Sequence, residues 1–315
     1  YMLTDYVPGS QITYIGNPNY FQKDPAGPGK GNQLPYLNGL QHLILPDAST
    51  MLAAIRTGKL DVVESQGYDD TQSLLRTAPK LNVAYTYVAY YGVFMRTDIK
   101  ERPYSDKRVR QALMLATDFD AINKALYGGQ GSIPGYPLPP DIPGLEKYAL
   151  TLKESPEVVQ DLYRYNPEKA KQLLKEAGHP NGFSADILVS AAGTAVDELA
   201  IIKGMWSKVG VNLNMQVKDS GVFATIEANR SHTDMIYSGI GGVSKLWPRG
   251  FGHLHSGVAF NKSFINEAYI LDSVAEYHKA WLSGDEAERI RLSKYVIGRV
   301  IEDSFAIGMP GRRVA

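Results

Sequence analysis

Residues Tyr104–Gly129 read YSDKRVRQALMLATDFDAINKALYGG. Val109, Ala112, Leu113 and Ala116 recur at the spacing of one helix face, and Ser105 or Asp106 stands where a helix needs an N-cap. Asp118 is placed to cap a second helix running through Leu126. Two capped, amphipathic helices in tandem predict a pair packed on a common core.

Working outward, the chain before this pair begins with two short strands, YMLTDYV and SQITYIG, which Pro8-Gly9-Ser10 joins as a hairpin. A polar, glycine-rich and proline-rich loop covers Asn17 to Pro35. The apolar strand GLQHLILP leads into a helix capped by Asp47 or Ser49 and ended by Gly58, before a strand at Leu60 to Val63. A helix over Tyr68 to Ala78 and the Tyr-rich extended segment LNVAYTYVAYYGVFMRTD complete this half.

After the helix pair, Gly128 to Pro167 is rich in glycine and proline, with one short helix near Pro156 to Tyr163. Asn166-Pro167 starts the helix PEKAKQLLKEAG, with proline at its first position. Strands FSADILVS and VNLNMQVK flank a helix from Ala195 to Val209, and another helix covers Val222 to Asn229. TDMIYSGI reads as a buried strand opening into GIGGVSKLWPRGFGHLHSG; helices over Ser263 to Leu282 and Asp285 to Glu302 precede a terminal strand, FAIGMP. Alternation of strands and helices predicts an α/β fold.

Composition bounds the function. The 33 basic side chains balance 33 acidic ones, so no broad positive field exists to hold nucleic acid. Cysteine is absent, which removes disulfides, thiolate metal sites and cysteine nucleophiles together. No run approaches the ~20 apolar residues that span a bilayer, and YMLTDYVPGS lacks the basic-then-apolar pattern of a signal peptide; if the protein is exported, its targeting segment has been removed.

The loop GGQGSIPGYP follows a helix and precedes proline-rich coil, so it lacks the strand-to-helix setting of a phosphate cradle. His253 and His255 form an H-x-H pair with no third ligand nearby, and no metal or cofactor is expected. No nucleophile, base and oxyanion set assembles, so no catalytic chemistry is expected.

The order of blocks resembles the extracytoplasmic solute-binding proteins of the peptide/nickel class that serve ABC importers, solute-binding protein family 5. The matching blocks are Asn17 to Phe21 after the strand pair, the helix ending in the turn Thr57 to Asp61, RPYSDKRVRQALMLATDFDAINKALYGGQGSIPGYPLPP, YNPEKAKQLLKEAGHPNGF, and the strand Asp234 to Gly239. The resemblance implies a periplasmic-binding-protein-like, two-lobe fold of type II, cluster C-like, with the first lobe incomplete here. It implies residues 1–95 as a returning part of lobe I, 96–304 as lobe II and 305–315 as the strand crossing back, with hinges at Gly92 to Thr97 and Ala306 to Pro310. An oligopeptide-like, oligosaccharide or metal-chelate solute would be enclosed in the cleft and delivered to a membrane permease. A monomer located in the periplasm, or otherwise outside the cytoplasmic membrane, is the accompanying expectation. A ligand sensor on the same fold is the alternative, and a periplasmic hydrolase a more distant one.

Candidate ligand contacts follow from the same resemblance. Tyr91 is favoured over Tyr90, since alternation sends only one of them to the cleft. Gly131 and Ser132 belong to the loop after the helix pair, and Tyr237 to the strand whose far end contacts ligand in the family. Trp247 suits stacking and Arg249 suits pairing with an anionic or polar group. Peptide-binding members carry a tryptophan and then an aspartate where Ile240 and Val243 stand, which argues against a ligand with a free amino terminus.

Overall fold

Gly9, at φ 73°, turns the chain between β1 (Met2–Val7) and β2 (Gln11–Ile15), and the Ser10 amide closes that turn on the Val7 carbonyl at 3.0 Å. β3 (Gly39–Leu43) adds antiparallel to β2, giving a three-stranded sheet in the order β1-β2-β3. Asp47 caps α1 (Ala48–Arg56) by accepting from the Thr50 amide at 2.7 Å. Arg56 Nε donates to Thr77 Oγ1 at 2.8 Å and so ties α1 to α2 (Tyr68–Thr77). These elements make up the first compact unit, Tyr1–Asn82; the second is Val83–Ala315. This computed structural model describes residues 1–64, 66–84, 86–87, 90–240, 247, 251–252, 254, 258–311 and 313–314.

One expected strand is missing. Among the described residues Leu60 to Val63 pairs with no strand, and Val62 is 73% exposed. A β-branched pair favours extended backbone, yet a strand exists only where a neighbour completes its ladder.

The second unit opens with β4 (Thr86–Tyr87) and β5 (Tyr90–Met95), followed by α3 (Lys107–Leu115) and α4 (Phe119–Tyr127). Then come α5 (Glu157–Leu162), α6 (Pro167–Glu176), β6 (Phe183–Ser190), α7 (Ala195–Ser207), β7 (Val211–Lys218), α8 (Ser220–Ala228) and β8 (Met235–Ile240). α9 (Ala268–Ser283), α10 (Glu286–Glu302), β9 (Ala306–Gly308) and β10 (Arg313–Val314) end it. The main sheet has the order β7-β6-β8-β5-β9, and β10 pairs separately with β4. β6 runs parallel to β7 and β8, whereas β5 is antiparallel to both its neighbours.

The helix pair α3 and α4 forms as its caps dictate. Asp106 accepts from the Arg108 amide at 2.8 Å and Asp118 from the Ala121 amide at 2.9 Å. Gly128 then ends α4 at φ 59°, in the left-handed region. Val109, Ala112, Leu113 and Ala116 are all fully buried. Arg110, also buried, holds three carbonyls: Nε donates to Asp303 O at 2.8 Å and Nη1 to Tyr104 O and Ser105 O, both at 3.0 Å. Trp206 of α7 donates Nε1–H to Thr117 Oγ1 at 2.9 Å, locking the junction of α3 and α4 to the helix behind the sheet. No described helix is long and apolar enough to cross a membrane.

Candidate functional site

Four strands of the main sheet end at one edge, and β5 begins there. β6, β7 and β8 are parallel and finish at Ser190, Lys218 and Ile240; β9 runs antiparallel to β5, and the Met309 amide donates to the Tyr91 carbonyl at 2.8 Å. In open α/β sheets this carboxyl edge is where loops leave the framework and ligands find a crevice.

The loop after α4 is bound to that edge by its glycines. The Asn123 amide group clamps Gly131 from both sides, Nδ2 donating to Gly131 O at 2.7 Å while Gly131 N–H donates to Oδ1 at 2.8 Å. Ser132 and Gly311 exchange backbone hydrogen bonds of 3.1 and 2.7 Å, so the loop adds a one-residue bridge beyond the end of β9. A Cβ at Gly135 would fall 1.7 Å from the Met309 carbonyl oxygen, an approach only glycine permits. Ser132 Oγ is buried with no hydrogen-bond partner.

Tyr91 is half-buried, and its cross-strand partner is Gly239. With no side chain opposite it, the Tyr91 ring packs diagonally on Tyr237, centroid to centroid 5.6 Å. Tyr237 is fully buried; its hydroxyl donates to Glu198 Oε2 at 2.7 Å, and burial, aided by that carboxylate, pushes its pKa far up. Thr194 Oγ1 donates to Glu198 Oε1 at 2.7 Å, so the buried carboxylate of α7 accepts on both oxygens. Tyr237 is thus the backing of Tyr91 and has no exposed face of its own.

On the opposite face of β8, Lys262 is 3% exposed and spends its ammonium on Glu227 at 2.5 Å, Ser238 Oγ at 2.6 Å and the Gly239 carbonyl. Burial lowers its pKa while Glu227 opposes that shift. The end of β8 is therefore held by a charge beneath it.

Trp247 corrects an expectation. It is fully buried, with Nε1 donating to Ser293 Oγ at 2.6 Å and its ring edge-on to Phe251 at 5.1 Å, which in turn meets Tyr277 at 5.1 Å. A ring enclosed on all sides cannot stack on a solute. Arg249, Val243, His253 and His255 lie outside the described residues, as does the side chain of Ile240. Of the six residues singled out, Tyr91, Gly131, Ser132 and Tyr237 lie on β5, β8 and the bridged loop around this edge.

Glu198, Asn123 and Lys262 escaped the sequence reading. Thr194 and Glu198, one helical turn apart on an otherwise apolar face of α7, were the visible signal for the first. Nothing local marks Lys262, whose partners lie 24 and 35 positions away. Among the described residues no group of three or more acidic or histidine side chains is arranged to hold a metal.

The family model described as bacterial extracellular solute-binding proteins, family 5 middle, matches residues 1–258. Heme-binding protein A of Haemophilus influenzae is 33% identical over 68% of this chain and 36% of its own length. The dipeptide-binding protein of Escherichia coli is 30% identical over 71% of this chain and 38% of its own. In structure, the periplasmic binding protein DppA of Helicobacter pylori in complex with the peptide STSA superposes with a TM-score of 0.77 at 21% identity, covering 99% of this chain and 57% of that one. The chain thus spans well under two thirds of these relatives, and both the matched model and the order of its elements place it in the bacterial extracellular solute-binding protein family 5.

Proposed function

We propose that this protein is the solute-capturing component of an ABC importer, working outside the cytoplasmic membrane, and that its solute meets the carboxyl edge of the main sheet at Tyr91, Gly131 and Ser132. One observation carries the reading: an aromatic ring, a loop glycine clamped by Asn123 and a buried, unpartnered hydroxyl lie where four strands end. Tyr237 and Glu198 fix the aromatic from behind, and Lys262 fixes the end of β8 from below. The solute is small and polar. The related proteins are named for heme, dipeptide and glutathione binding, a spread that the framework tolerates because ligand choice resides in loops. Ile240 and Val243, standing where peptide-binding members carry a tryptophan and an aspartate, argue against capture of a free amino terminus. Delivery to a membrane permease follows from the importer role, and the protein is a binder without turnover.

Native mass spectrometry of the full-length protein, as purified and after mild denaturation, tests this. A small solute is expected to leave on denaturation, unaltered on prolonged incubation, and Tyr91→Ala is expected to weaken its retention at least ten-fold. Conversion of the solute into product by the purified protein, abolished by one side-chain change, would overturn the binder reading. A mixture of peptides would overturn the inference from Val243.

A further inference from the structure

Gly284, at φ 75°, ends α9 in the left-handed region, and Asp285 caps α10 by accepting from the Glu288 amide at 3.0 Å, so the two helices form a hairpin. Along one flank of that hairpin opens a cavity of about 270 Å³, lined by Tyr269, Asp272, Ser273 and Glu276 of α9 and by Arg291, Leu292 and Tyr295 of α10. The α9 residues recur at the spacing of a single helix face. Leu292 is buried, Tyr295 is 43% exposed, and Tyr269 and Tyr295 meet edge to face with centroids 6.4 Å apart. None of these residues belongs to the strands or the loop at the carboxyl edge of the sheet.

The polar groups of this cavity divide into partnered and unpartnered ones. The Tyr269 hydroxyl donates to Asp303 Oδ2 at 3.2 Å, and the Arg299 guanidinium lies 4.8 Å from the centroid of its ring. Arg291 forks onto Glu288 of its own helix, Nε to Oε2 at 2.7 Å and Nη2 to Oε1 at 2.6 Å, and that carboxylate is the first cause of its raised pKa, with Glu276 a lesser one. Asp272 and Glu276, exposed and one helical turn apart, make no ion pair or hydrogen bond among the described residues. Like charges at that spacing repel, and a cation between them relieves the repulsion. Ser273, deeper in the same wall, is 4% exposed, and its Oγ has no hydrogen-bond partner among the described residues. Unlike the sealed orphan atoms of the core, this oxygen keeps accessible surface, and it faces the cavity. An unpartnered hydroxyl behind two unpaired carboxylates calls for a cation with several N–H donors. A planar guanidinium answers this better than a compact ammonium, because its donors radiate in one plane toward several acceptors while its face stacks on tyrosine, as Arg299 does on Tyr269. The described residues contain no cluster suited to a metal ion instead.

We propose that this cavity binds a guanidinium group, its N–H donors received by Asp272, Glu276 and Ser273 Oγ and its face laid against the Tyr295 ring. All the residues involved belong to α9 and α10, so the proposal does not rest on the importer role.

The test is an NMR titration of the full chain labelled with ¹³C-tyrosine, the Tyr295 ring being assigned with Tyr295→Phe. Methylguanidinium chloride, kept well below the concentrations that unfold proteins, is expected to shift the Tyr295 ring signals saturably. Tetramethylammonium chloride at equal ionic strength offers no N–H donor and is expected to leave them in place, and methylammonium chloride to need several-fold more. Asp272→Asn/Glu276→Gln changes two exposed side chains and is expected to weaken the methylguanidinium response at least ten-fold. N-acetylarginine amide carries the same group on a peptide unit: a matching response supports an arginine of a partner protein as the occupant, and its absence supports a free guanidinium compound. Signals unmoved by methylguanidinium, a shift equal for any two of the three simple cations, one that grows linearly without saturating, or an undiminished response in the double variant overturns the proposal.

Discussion

Replacing Lys262 by methionine tests whether the charge beneath β8 holds it. The ammonium is almost wholly buried, and its three donors go to a carboxylate, a hydroxyl and a carbonyl. A hydrogen bond to a charged group contributes about 1.5–3 kcal/mol and a neutral one about 0.5–1.5, while removing one partner of a buried pair costs about 3–5 kcal/mol. Glu227 is 29% exposed, so water relieves part of its loss, which brings the expected cost of Lys262→Met to about 3 kcal/mol. The lowered pKa of Lys262, caused first by burial, says that desolvation outweighs the pairing. Removing both charges in Lys262→Met/Glu227→Met is therefore expected to restore all but about 1 kcal/mol. Equilibrium urea denaturation, read as a shift in midpoint at constant slope, measures both variants. A loss under about 1 kcal/mol for the single change, or additive losses in the pair, would refute the reasoning.

Three further outcomes follow from the geometry. His232 has a folded pKa near 4, below its unfolded value of about 6.5, so the unfolded chain takes up a proton first as pH falls; stability is full above about pH 6.5 and declines by up to about 3 kcal/mol toward pH 4. Asp234, raised by burial, acts in the opposite sense, so the difference between urea midpoints of the unaltered protein and His232→Gln across that window isolates the histidine; equal slopes would count against it. Trp247→Phe removes a donor to Ser293 Oγ, which still donates to the Tyr148 carbonyl at 2.6 Å; a loss of about 1–2 kcal/mol with solute retention unchanged is expected, and ten-fold weaker retention would return Trp247 to the binding edge. Gly135→Ala drives a Cβ onto the Met309 carbonyl and is expected to cost at least about 2 kcal/mol in thermal or urea unfolding, with the solute weakened as the loop leaves the sheet edge.

YSDKRVRQALMLATDFDAINKALYGG by itself determined two helices, the second cap at Asp118 and their buried face, and narrowed the first cap to Ser105 or Asp106, of which the fold uses Asp106, because capping and helical periodicity are satisfied within a few residues of the chain. The strands Phe183–Ser190 and Val211–Lys218 were legible for the same reason: their composition is local even though their partners are not. Tertiary structure decided the rest. Leu60 to Val63 has strand composition and, among the described residues, no neighbour to pair with, and Trp247 has the composition of a stacking residue and the surroundings of a core. Lys262, Glu198 and the close approach of Gly135 to Met309 join residues far apart in sequence, where no spacing rule operates. Burial and partnership are properties of what folds against a residue, and they turned a loop tryptophan into packing and a buried lysine into the support of a strand end.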